Sequence, residues 1–110
     1  MAEARATLKF TRISGKKMQP IAKMVRGMPI QKAIATLQFT PKKGAQIIRK
    51  VIESARANAH EKKIDVDTLR IKTVNVDRGP IMYRIMTRQR GMAYRLRKRL
   101  SHVTVVVGDQ

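Results

Sequence analysis

The chain has 110 residues, with 25 lysines and arginines against seven aspartates and glutamates, for a net charge of +18. That length suits one domain with a modest core, 43% of its residues being apolar. Its charge would repel itself in a compact free monomer unless a polyanion offsets it. Cysteine is absent, which excludes disulfides and thiolate metal sites, and no apolar run approaches the ~18 residues of a membrane span.

The acids are unevenly spread: none lies between Glu3 and Glu53, and none between Asp77 and Asp109. Two long segments are therefore purely cationic. The N-terminal "MAEARATLKF" lacks the apolar stretch of a secretory signal, and the lack of cysteine fits a reducing compartment.

Residues 3–13, "EARATLKFTRI", alternate with period two, putting Ala4, Ala6, Leu8 and Phe10 on one face of a half-buried strand. Ser14 then reads as a helix N-cap. "GKKMQPIAKMVRG" carries Met18, Ile21, Met24 and Val25 at helical spacing, with Pro20 a misfit that should kink the helix or place its regular part after it, and Gly27 in place to end it. Pro29 suits the first turn of a short second helix with Ile30, Ala33, Ile34 and Leu37 on one face. Thr40-Pro41 reads as a capping pair for a third helix reaching about Glu61, with Ile48, Val51, Ile52, Ala55 and Ala59 as its buried stripe. Glu53 can pair with Arg49 and Arg56 along that helix.

"HEKKIDVD" is a polar connection. "LRIKTVNV" (69–76) and "SHVTVVVGD" (101–109) are β-rich runs. In the first, the apolar parity switches from Leu69 and Ile71 to Val74 and Val76, as a bulge or strong twist would make it. The layout is α+β: a small three-stranded antiparallel sheet packed with three helices.

Between the last two strands runs "GPIMYRIMTRQRGMAYRLRKR", Gly79 to Arg99, without one acidic residue. A structureless loop of about 20 residues is rare in a compact domain. If Val76 lies opposite roughly Val103, both strands continue outward and meet near Gln89–Gly91, where Gly91 can supply a positive-φ turn position. Such a ribbon, from about 78 to 100, would reach about 40 Å beyond the sheet. With no core of its own, it would be ordered only where something grips it.

Catalytic constellations are missing. His60 and His102 read as structural or solvated side chains. Asp65 and Asp67 resemble the start of a calcium loop, but the required Gly is lacking and the bidentate position is Val76. No Gly-rich phosphate loop is present, and Ser14, Ser54 and Ser101 have no base beside them in sequence. No cofactor or metal is expected, and the chain is not read as an enzyme.

Three binding readings remain. The first is a structural RNA-binding protein held mainly by lysine and arginine on phosphate. Aromatics at 4%, with no Trp, disfavour stacking platforms and favour backbone readout. The second is a β-ribbon DNA-bending protein of the histone-like kind. That reading expects a two-fold dimer, for which no second apolar face is evident. The third is attachment to an anionic membrane or an acidic protein. The third helix is only weakly suited to it, having alanines where Trp or Leu anchors would help.

The segments "KMVRG" (23–27), "VIESARANAH" (51–60), "VDRGP" (76–80), "RIMTRQRG" (84–91) and "KRLSHVTVVV" (98–107), in this order and spacing, resemble the bacterial large-subunit ribosomal protein family numbered twenty-two. The resemblance covers essentially the whole chain. It implies one domain over 1–110 with an extended β-hairpin, sited in the large ribosomal subunit of the cytoplasm, an organellar ribosome being the open alternative. The hairpin is expected to line the nascent-peptide exit tunnel, and the protein to bind large-subunit rRNA and assist assembly. The implied partners are rRNA, neighbouring ribosomal proteins and the nascent polypeptide; neither a membrane nor an obligate homo-oligomer is implied.

Carried over by position, Lys16, Lys17, Lys23 and Arg26 fall on the first helix. Arg84, Arg88, Arg90 and Gly91 fall on the hairpin's tip and flanks, and Arg95, Arg97, Lys98 and Arg99 on its return. Lys42, Lys43 and Arg78 complete the expected rRNA-binding set. The expected tunnel-lining tip is Arg88, Gln89, Arg90, Gly91, Met92 and Ala93. The chain departs from the family at Pro20, usually aliphatic; Tyr83, more often basic; Thr87, usually proline; and Met92, usually arginine. Its tip is accordingly less basic and more apolar than is usual.

Overall fold

A computed structural model describes residues 3–87, 91 and 93–108. The elements in order are β1 (Glu3–Thr11), α1 (Gly15–Val25), α2 (Ile30–Gln38), α3 (Lys43–Glu61), a 3-10 turn at Val66–Thr68, β2 (Arg70–Thr87) and β3 (Ala93–Gly108). The sheet is antiparallel in the order β1-β3-β2, so β3 is central. The helices cover one face. Ile48, Ile52, Ala55 and Ala59 of α3 and Met18, Ala22 and Val25 of α1 close over Ile71, Val74, Val103, Val105 and Val107. This is the expected α+β architecture, and the long dimension of 61 Å against 24 and 17 Å reflects the hairpin.

The expected register holds, with Val76 opposite Val103. Pairing continues to Thr87 opposite Ala93. Two irregularities in β2 shape it. The first, between Ile71 and Thr73, is the parity switch seen in the sequence: it lets Leu69 and Ile71, then Val74, all face the core. The second lies between Arg78 and Ile81 and holds Gly79-Pro80. Pro80 has no N–H for a ladder, and a Cβ on Gly79 would stand 3.2 Å from the Leu100 backbone. The pair marks where the ribbon leaves the body.

A third irregularity, in β1 between Leu8 and Thr11, corrects the expectation for Phe10. Phe10 takes φ 59°, which breaks the period-two pattern. Its ring meets His102 edge-on at 5.0 Å, on the sheet face away from the helices. Its N–H donates to His102 Nδ1 at 3.0 Å. Thr11 and Ile13 become the buried residues instead. Leu8, opposite the fully buried Val103, keeps the inward parity but is 40% exposed on the edge strand.

Helix ends also differ from the expectation. Thr40 does not cap α3. Its hydroxyl donates back to the Thr36 carbonyl at 2.8 Å, finishing α2, while Lys42 occupies the N-cap position of α3 without a side-chain bond. Ser14 sits at the N-cap of α1, likewise without one. α1 runs through Pro20, held across the missing hydrogen bond by buried Met18, Ile21, Ala22 and Val25. Gly27, with φ 81°, follows an extended Arg26, and Met28 N–H reaches the Val25 carbonyl at 3.2 Å, the pattern of a type II turn.

Within the body, this arrangement partly covers both sheet edges. The α1–α2 link lies along β2, with Ile30 N–H on the Leu69 carbonyl and Ile71 N–H on that of Met28. On β1, Asn58 donates to the Arg5 carbonyl and Lys62 to that of Glu3. Edges treated in this way offer little template for pairing with another chain.

Candidate nucleic-acid interface

Where the ribbon leaves the body, four elements meet around a cleft of about 970 Å³. The link after β1 contributes Arg12, Ile13 and Ser14; α1 contributes Lys17, Pro20 and Ile21; the start of α3 contributes Lys42, Lys43 and Gly44; the ribbon base contributes Met82, Lys98 and Arg99. Six of these twelve residues are cations and none is acidic. With six cations, no acid and apolar side chains between them, this lining suits a polyanion.

The fold is built to hold these groups near each other. Buried Ser101 donates its hydroxyl to the Ile13 carbonyl at 2.8 Å, tying the ribbon base to the link that carries Arg12. Gly44 allows α3 to meet α1, since a Cβ there would stand 2.8 Å from Ile21 Cδ1 and 2.9 Å from Met18 Sδ. The first turns of α1 and α3 both open on the cleft, and neither has an acid or a side-chain cap. Lysine in a first turn opposes the helix dipole, which favours negative charge there. Lys17, Lys42 and Lys43 thus add to a positive field already set by the unpaired N–H groups.

Charge is also segregated along the molecule. Glu3, Glu61, Asp65 and Asp67 lie at the strand and helix ends away from the ribbon, while Asp77, exposed opposite His102 beside Arg78, is the described acid nearest the ribbon base. Glu53 is paired with Arg49 at 3.2 Å, as the sequence predicts, and Glu3 with Lys72 at 3.1 Å.

Of the sequence-predicted residues, Lys17, Lys42, Lys43, Lys98 and Arg99 come together in the cleft. Lys16 and Lys23 are exposed on α1, and Arg78 is exposed at the ribbon base. Arg26 is partly committed elsewhere: Nε and Nη2 both donate to the Val74 carbonyl, at 3.2 and 2.6 Å, closing the β2 edge beside the Gln19 bond to Val76. Along the ribbon, apolar residues lie opposite arginines: Ile81 opposite Arg99, Tyr83 opposite Arg97, Ile85 opposite Arg95 and Arg84 opposite Leu96. At the tip, Arg88, Gln89, Arg90 and Met92 lie outside the described residues; Gly91 has the expected positive φ of 70°, and Ala93 begins β3.

Sequence reasoning missed Arg12. It stands in the acid-free segment next to Ser14, a signal that was visible, but its convergence with Lys98 depends on the ribbon's exit. Among the described residues no group of histidines and acids could hold a metal, and no helix is long and apolar enough to cross a membrane.

Residues 6–108 match the family described as ribosomal protein L22p/L17e. "Large ribosomal subunit protein uL22" of Maridesulfovibrio salexigens is 50% identical over 108 residues, spanning 97% of this chain and 98% of that protein. Its namesake from Akkermansia muciniphila is 47% identical over 109 residues, spanning 98% and 97%. Matched across nearly its whole length by both, the chain belongs to the ribosomal protein L22p/L17e family.

Proposed function

We propose that the cleft and the ribbon form one continuous surface for the phosphate backbone of large-subunit rRNA. As a member of this family the chain is a structural constituent of the large ribosomal subunit and not an enzyme. Membership also sets aside the DNA-bending reading. The observation that carries the proposal is the acid-free cleft with six cations at the root of an arginine-bearing ribbon.

In this reading Lys17, Lys42, Lys43, Lys98 and Arg99, with Arg12, anchor the body on rRNA. Lys16, Lys23 and Arg78 extend the contact, and Arg26 adds to it with the donors it does not spend on Val74. Arg84, Arg95 and Arg97 continue it along the ribbon, where the interleaved Ile81 and Tyr83 offer apolar cover to sugars and bases. The tip, Arg88 to Ala93, lines the peptide exit tunnel beside the nascent polypeptide. Anchoring through the body also serves assembly, and the whole acts as one domain over 1–110, as a monomer among neighbouring ribosomal proteins.

Binding of the full chain to a large-subunit rRNA fragment tests this. The log of the association constant should fall with log salt at a slope of roughly −5 or steeper, each neutralised phosphate contributing about −0.7 to −0.9. A nearly flat plot contradicts phosphate-dominated binding.

A further inference from the structure

Six cationic side chains from four separate elements in one cleft offer more positive charge than a single phosphate can neutralise. Arg12, Lys17, Lys42, Lys43, Lys98 and Arg99 come from the β1–α1 link, two helix starts and the ribbon. When the cleft is empty these elements repel each other across it. The lysines at the two helix starts add a second penalty, since they oppose the helix dipoles. Both penalties are relieved by one occupant: several phosphates linked closely enough to lie together inside about 970 Å³.

We propose that the cleft is a self-contained site for compact, linked phosphates, and that filling it locks the ribbon base onto α1 and α3 in the free protein. The inference rests on reading the cleft as a phosphate site, and adds that it needs no RNA sequence, base or fold. A soluble polyphosphate and a sharply bent RNA backbone present the same chemistry. Because the occupant bridges elements that otherwise repel, binding is coupled to stability, and a ligand that binds only the folded state raises the melting temperature.

The probe is tripolyphosphate added to the full chain, against sodium chloride at matched ionic strength. Expected is a saturable rise in melting temperature, roughly 10 °C at a hundredfold excess over the Kd, with slower amide exchange at Met82, Lys98 and Arg99. The rise should vanish in Lys42→Gln/Lys43→Gln/Lys98→Gln. It should persist in Lys9→Gln/Lys32→Gln/Lys50→Gln, which removes the same charge outside the cleft. A rise no larger than that with chloride, or one equal in both variants, overturns the proposal. Should the first variant fold poorly, competition settles it in the unmodified chain: tripolyphosphate displaced by an rRNA fragment supports the site, and simultaneous binding without competition overturns it. If tripolyphosphate has no effect while rRNA binding keeps its steep salt slope, the clamp fails and the rRNA surface stands.

Discussion

Lys42→Gln/Lys43→Gln/Lys98→Gln should bind large-subunit rRNA more weakly by on the order of a hundredfold at moderate salt, and its salt slope should be shallower by roughly 2 to 3. The reason is geometric as much as electrostatic. Lys42 and Lys43 stand at the start of α3, where the dipole and the unpaired N–H groups already draw an anion. Lys98 comes from the ribbon, so removing the three takes charge from two walls of one cleft. Glutamine keeps the stems and a hydrogen-bonding end, which separates loss of charge from loss of packing. Lys9→Gln/Lys32→Gln/Lys50→Gln should cost much less, because those residues lie outside the cleft. Filter binding or fluorescence anisotropy over a salt series reads both quantities. Equal losses in the two variants would mean that only overall charge matters.

Ile52→Ala should destabilise the free protein by about 2–5 kcal/mol. Ile52 is fully buried on α3 within the single core that joins the helices to the sheet. A domain of this size has only about 5–15 kcal/mol of net stability, and here the net charge of +18 works against compactness. Thermal unfolding should therefore come roughly 10 °C or more earlier, at about 4–8 °C per kcal/mol. Arg56→Ala on the exposed side of the same helix should move stability by no more than about 0.5 kcal/mol. Binding to rRNA should restore much of the loss by mass action, since the ligand selects the folded state. A melting curve unchanged in Ile52→Ala would mean that the core is not where the stability resides.

Much of this architecture was legible in the residues themselves. The α3 stripe from Ile48 to Ala59 is buried as its spacing requires, and the parity switch between Ile71 and Val74 is the bulge it implies. The ribbon's register followed from matching Val76 to Val103 around a glycine turn. Local features decided by tertiary partners were not legible. Phe10 fits a period-two strand by sequence, yet the bulge hands it to His102. Thr40 has the chemistry of an N-cap, yet the Thr36 carbonyl is the acceptor it meets. Arg26 looked like one more phosphate ligand, but two of its donors close a sheet edge. The cationic residues were visible as a list. That Arg12, Lys43 and Lys98, so far apart in the chain, line one cleft is a property of the fold.

Whether this cleft faces rRNA phosphate can be read in the density of a large ribosomal subunit containing this chain. Phosphate oxygens are expected within hydrogen-bond reach of Lys17, Lys43 and Lys98, with the backbone continuing past Arg99 along the ribbon. A cleft filled by another protein or by solvent, with rRNA touching the chain only elsewhere, would contradict it.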